Sequence, residues 1–185
     1  MKIIFFVALF SLIYEASISQ DVPDYRKVRW GMSKAQVLKL EGGYDNFNQI
    51  GVLEVGNIKV ISFNARLSYK FKSDKLIAAA ILFTDSYSND NQHIANFKSI
   101  DKVLESKYGK ANTRKVSRLR NDDLYLSDPG YELYMGNSKY RTQWNKSRTI
   151  IKHTIEAPNN IIHHYIQYIS KEHLKSIKRA PSENL

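Results

Sequence analysis

The sequence predicts an α+β fold: two tandem helix-plus-three-strand repeats forming a curved antiparallel sheet with the helices on one face. Three observations lead there. Two segments with helical periodicity each stop at glycine, the first at Gly42-Gly43 and the second at Gly109. Each is followed by a group of strand-like runs separated by turn residues. One of those runs alternates cleanly, with Ala65, Leu67, Tyr69 and Phe71 interleaved with Arg66, Ser68, Lys70 and Lys72. Joining the two groups of strands edge to edge would also protect strand edges that would otherwise be unpaired.

A leader precedes the first repeat. Lys2 is followed by a twelve-residue apolar run, Ile3 to Tyr14, broken only by Ser11, and the small residues Ser17 and Ser19 stand before a cleavage point expected at Gln20. The run is shorter than the roughly 20 apolar residues a membrane span requires. The expectation is a cleaved signal peptide over residues 1–19 on a bacterial protein that is periplasmic or secreted, with no integral membrane segment after cleavage. The absence of cysteine excludes a lipidated N-terminus, disulfides and thiolate catalysis. Removing 19 of 185 residues leaves 166, the size of one compact domain. That domain is expected over 20–171, with repeat one at about 25–84, repeat two at about 90–171, and a flexible basic tail at 172–185. Lys2 and Glu15 leave together, so the net charge stays at +10. In an exported protein this favours an envelope protein, an anionic polymer or a lipid headgroup as partner over intracellular nucleic acid.

The first helix is expected over Lys34 to Glu41. Ser33 and Gln36 form the S-x-x-Q capping box, and Met32 with Val37 forms a hydrophobic staple across the cap. Gly31 gives the entering chain its turn, and Trp30 is placed over the helix start or the sheet. Val52 to Phe63 reads as a strand with a turn or bulge at Gly56-Asn57. The alternating strand follows, then a turn at Lys72 to Lys75, then Leu76 to Phe83, whose continuous apolar character fits a central or doubly covered strand.

The second half opens after the polar loop Asp85 to Asn91. Ile94, Phe97, Asp101, Leu104 and Tyr108, widened by Ile100 and Val103, predict an amphipathic helix over Gln92 to Tyr108, with Asp90 or Asn91 as its cap. A loop containing Asp122, Asp123, Asp128, Pro129 and Gly130 leads to strands at Lys139 to Asn145, Arg148 to Ala157 and Ile161 to Ser170. The turns between them fall at Lys146-Ser147 and Pro158-Asn159.

Two segments carry a resemblance. "WGMSKAQVLKLEG", Trp30 to Gly42, resembles the start of small exported bacterial proteins that open their first helix with Trp-Gly-Met-Ser or Gly-Met-Thr. "LESKYGKAN", Leu104 to Asn112, is similar to their recurrent helix end, with Ala111 at the position of the usual proline. More distantly, the chain resembles the small lipoprotein of the outer-membrane barrel-assembly machinery and the beta-lactamase inhibitor protein with its tandem helix-plus-strand repeats. The resemblance implies a noncatalytic fold that presents a surface. The missing lipidated cysteine departs from the assembly lipoprotein.

The chain contains no G-x-S-x-G elbow, no H-E-x-x-H and no Walker-type loop. "DSYSNDN", Asp85 to Asn91, lacks the glycine and terminal glutamate of a calcium loop and reads as a turn. The aspartates at 122, 123 and 128 show no ligand spacing. Histidine gives one sharper pattern. With a two-residue turn at Pro158-Asn159, His153 falls opposite His164, on a face shared with Ile151, Ile155, Ile162 and Ile166. The pair are candidate metal ligands or pH sensors, although zinc needs at least a third ligand. No cofactor is expected. Arg66, Lys70 and Lys72 in the first half and Lys139 and Arg141 in the second occupy the polar faces of their strands, as candidate partner-binding residues. Together these features describe an exported, soluble, noncatalytic protein that binds a protein partner or an anionic envelope component. The alternative is a small metal-assisted hydrolase using His and Asp residues.

Overall fold

The computed structural model describes residues 22–45, 50–118 and 128–174. The expected leader, Asp122 and Asp123, and the tail beyond residue 174 lie outside the described residues. In chain order the elements are α1 (Lys34–Glu41), β1 (Tyr44–Asp45), β2 (Val52–Val60), β3 (Phe63–Lys72), β4 (Lys75–Phe83), α2 (Asp90–Tyr108), β5 (Thr113–Arg118), α3 (Pro129–Tyr134), β6 (Ser138–Asn145), β7 (Thr149–Glu156) and β8 (His163–Ser170). The strands form one antiparallel sheet in the order β1-β2-β3-β4-β8-β7-β6-β5. The order is a palindrome: the last strand of each half meets at the centre, and β1 and β5 form the outer edges. Each half thus contains its three expected strands plus one short edge strand. Among the described residues, no helix is long and apolar enough to cross a membrane.

Local chemistry accounts for most element boundaries. The capping box of α1 is complete: Gln36 N donates to Ser33 Oγ at 3.3 Å, and Ser33 N donates to Gln36 Oε1 at 2.9 Å. The β3–β4 hairpin turns through Ser73 and Asp74, both at positive φ, as the twist of tight hairpins requires. Asp74 also accepts from the backbone N–H of Lys34 at 2.9 Å, so this turn satisfies a donor at the start of α1. The irregularity foreseen at Gly56 is a break in register between Glu54 and Gly56. The cap of α2 is Asn89, whose side chain accepts from Asn91 N, in place of the expected Asp90 or Asn91.

Three elements were not foreseen: the two-residue edge strand β1, the helix α3 and the strand β5. In α3, Asp128 is the N-cap, accepting from Gly130 N and Tyr131 N, and Pro129 stands at the first helical position, where its missing N–H costs nothing. Its carboxyl is held below the usual range by the Tyr131 N–H and by Asn91. Asp128 is thereby occupied in closing a helix. In β5, all six residues are exposed, so no buried alternation marks it as a strand.

All three helices lie on one face of the sheet. Val37 of α1, Ile100 and Leu104 of α2, and Leu67, Tyr69, Ile81, Trp144, Ile151 and Ile166 of the strands share one core cluster. A smaller cluster joins Ile94 and Phe97 of α2 to Leu133 of α3 and Ile155 of β7. The Trp30 indole N–H crosses from the first half to the second and donates to Thr149 Oγ1 at 2.9 Å, buried. That bond makes Trp30 a clasp between halves, while Gly31 N and Met32 O anchor the segment within the first half by bonding to Leu76 O and Leu76 N at 2.9 and 2.8 Å.

Candidate functional site

Two constellations stand out, one on each face of the sheet. On the open face, the register places Arg66 beside Leu82, Leu82 beside Tyr165, Tyr165 beside Thr154, Thr154 beside Arg141 and Arg141 beside Lys115. That single row runs from β3 to β5 and brings Arg66 and Arg141 from opposite halves onto one surface. Four strand spacings separate them, roughly 19 Å. Lys70 lies two residues along β3 from Ser68, in a row with Ala78, Ile169 and Ile150. Lys72 lies at the hairpin end of the same strand, paired with Lys75.

The centre of this face mixes small apolar and polar side chains. Ala78, Ala80, Leu82 and Ile150 are half-buried there beside half-buried Gln167 and Lys152, which continue the row of Ala80, and exposed Arg66, Lys70, Arg141 and Lys115 flank them. Half-buried apolar side chains mixed with polar ones inside a charged rim are compatible with a protein interface. Lys139 is ion-paired with Glu156, and Glu156 also accepts from the Tyr165 hydroxyl at 2.5 Å. Burial pushes the Glu156 carboxyl up, but the bonds from Lys139 and Tyr165 outweigh it, and the carboxyl stays below its ordinary value. Lys115 and Tyr165 belong to this surface although sequence reasoning missed them. Lys115 lacked a recognisable strand to sit on, and Tyr165 lay in a run whose two faces both mix apolar and polar residues.

On the covered face, His153 and His164 do come together, but not as directly opposed residues. The loop after β7 spans Ala157 to Ile162 and includes a 3-10 turn at Pro158–Asn160 with Asn159 and Asn160 at positive φ, so it is longer than a two-residue turn. The register therefore moves by two: His153 pairs with Ile166, and His164 pairs with Ile155. A shift of two preserves the face, because side chains alternate with period two. The imidazoles meet diagonally, with their Nε2 atoms 2.8 Å apart.

The partner that sequence reasoning missed is Asp101, the polar member of the apolar stripe on α2. Its Oδ1 lies 2.9 Å from His153 Nδ1, and its Oδ2 accepts from Arg114 Nε at 3.0 Å. Arg114 in turn pairs with Glu105 at 3.1 Å. Asp101, His153 and His164 are all buried. Phe97 stacks on the His153 ring at 4.1 Å, nearly parallel, and Phe83 lies 4.5 Å from the His164 ring. Burial works against the Asp101 charge, but hydrogen bonds from His153 and Arg114 prevail and keep the carboxyl below its ordinary value. Burial lowers His153 more than Asp101 raises it. Burial, with the charges of His153 and His93, takes His164 down to about 2.

These directions fix the proton arrangement at neutral pH. Ionised Asp101 accepts Nδ1–H of His153, which leaves His153 Nε2 as the acceptor for Nε2–H of His164. Three of the four ring nitrogens are thereby engaged in hydrogen bonds. Two nitrogens on one tetrahedral zinc would stand roughly 3.3 Å apart, and here a proton fills the shorter gap. Among the described residues, no group of three or more metal-ligating side chains is gathered. The His164 ring also lines a cavity of about 20 Å³ with Asp85, Tyr87, His93 and Asn96, room for about one water molecule.

No protein-family model, curated protein or solved structure matches the chain.

Proposed function

We propose that this is an exported, noncatalytic binding protein that receives an acidic partner protein on the open face of its sheet. One observation carries the reading: the row from Arg66 to Lys115, in which the cations Arg66, Arg141 and Lys115 flank Leu82, Tyr165 and Thr154, on the face opposite all three helices. The net charge of +10 supports an acidic partner, since complementary charge speeds encounter and disfavours wrong partners. The leader pattern of residues 1–19 supports export. The resemblance of the Trp30 to Gly42 segment to small exported proteins points the same way.

The test places a photo-crosslinking amino acid at Ala80, at the centre of the face, and separately at Lys98, exposed on α2. Expressed in the native envelope, the Ala80 position is expected to give one discrete adduct that Lys98 does not give. That adduct should be lost with the R66E/R141E double substitution and weaken steeply as salt rises. The same adducts from both positions, or an adduct indifferent to the double substitution, would rule the reading out.

A further inference from the structure

The chain Asp101–His153–His164 is costly for a small core to carry, and it lies directly behind the centre of the open face. Thr154 and Tyr165, which pair in the basic row, are the sequence neighbours of His153 and His164. The chain also connects elements: Asp101 belongs to α2, His153 to β7 and His164 to β8. In the closed arrangement a single hydrogen bridges the two Nε2 atoms. A further proton has two places to go. On His164 Nδ1 it would create a cation beside Phe83, Phe97 and His153, with its countercharge one ring away on Asp101. On the facing Nε2 atoms it would point two N–H groups at each other.

The groups surrounding the pair offer no better acceptor. From α2 come Asp101 and His93, itself lowered by burial, and from β5 comes Arg114, backed by Glu105. The segment between β4 and α2 contributes Asp85 and Tyr87, and Asp85 already accepts from Asn64 N and Nδ2 at 2.8 and 2.6 Å. Tyr140 of β6 packs against Phe97 at 5.9 Å, while α3 presents Leu133, which is apolar.

We propose that Asp101, His153 and His164 form an acid-operated latch that holds α2 against the sheet at neutral pH. Proton uptake by the histidine pair opens it and loosens the binding face. The effect on binding rests on the function proposed above, but the latch does not. The sign follows from linkage. Both histidines are held below their ordinary value when closed, so the closed state binds fewer protons than an open one, whose imidazoles titrate near about 6.5. The closed state is therefore fully favoured above that pH, and opening grows by about tenfold per pH unit below it for each proton taken up.

Trp144 provides a reporter, because its indole N–H donates to the carbonyl of Gly109, the cap that ends α2, at 2.8 Å. In the mature protein without partner, protection of the Trp144 indole N–H and of the α2 amides is followed by NMR from pH 7.5 to 4.5, corrected for intrinsic exchange. Protection is expected to hold to about pH 6.5 and then fall by about tenfold or more per unit. The pH slope should drop by one proton in His164→Phe. If that variant does not fold, the imidazole Cε1–H resonances of the wild-type protein decide. Protection that stays flat to pH 4.5, or histidines 153 and 164 titrating near 6.5 while α2 stays protected, would overturn the latch. A failure of partner binding at pH 7.5 would count against the proposed function and leave the latch standing.

Discussion

Asp101 occupies a stripe position on α2 where the helical pattern calls for an apolar side chain, and the structure shows what its carboxylate does there. It holds the fully buried His153 through Nδ1 and draws in Arg114 from the sheet edge. Asp101→Ala should leave the Nδ1–H of His153 without an acceptor in a site water does not reach. The expected loss is about 1–3 kcal/mol, read from urea unfolding at pH 7.5. Glu105→Ala, at the exposed end of the same network, should cost less than about 1 kcal/mol. At this scale the histidine face was legible from alternation, but the diagonal meeting was not. It depends on how the loop after β7 spends its residues, and Asn159 and Asn160 take left-handed conformations that the sequence does not announce.

Among the elements, α1 shows how much local chemistry can specify. Its ends match the expectation because Ser33, Gln36 and Gly42 act on their own neighbours in the chain. By contrast, α3 begins with Pro129-Gly130, which reads as a turn, and becomes a helix because Asn91 of α2 reaches it. Asn91 Oδ1 accepts from Gly130 N at 2.9 Å, and Asn91 Nδ2 donates to Asp128 Oδ1 at 2.7 Å. Gly130 is pressed so closely against α2 that an added Cβ would stand 2.4 Å from Asn91 N. Gly130→Ala should therefore force the helices apart at a cost of about 1–3 kcal/mol, seen as a lower thermal midpoint and weakened protection of the α2 start. Similarly, β5 becomes a strand only because β6 offers it an edge, and its six exposed residues gave no burial signal to find.

Across the whole molecule, the mirrored strand order makes β4 and β8 the seam, so the two halves share one core. The main cluster runs from Tyr25 and Val37 through Ile81 to Trp144, Ile151 and Tyr168, and Trp30 bonds Thr149 across it. Neither half can bury its inner face without the other. Unfolding in urea is expected as one transition, with tryptophan fluorescence and far-UV circular dichroism superimposing. Two resolved transitions, or a separately folded 20–86 fragment, would show that the halves are independent. The basic face belongs to this scale as well, since Arg66 and Arg141 share a row only after the halves have joined.

The sequence by itself determined the fold class, the extent of α1, the alternating face of β3 and the side of the sheet on which each candidate residue lies. All of these follow from interactions within a few residues of the chain, or from a period of two that survives a two-residue error in register. Tertiary structure alone decided that Asp101 joins the histidines, that Asp128 caps a helix, and that cations from two halves line one surface. Those outcomes depend on which strands become neighbours and how their loops set the register, and both are settled when distant segments bury a common core.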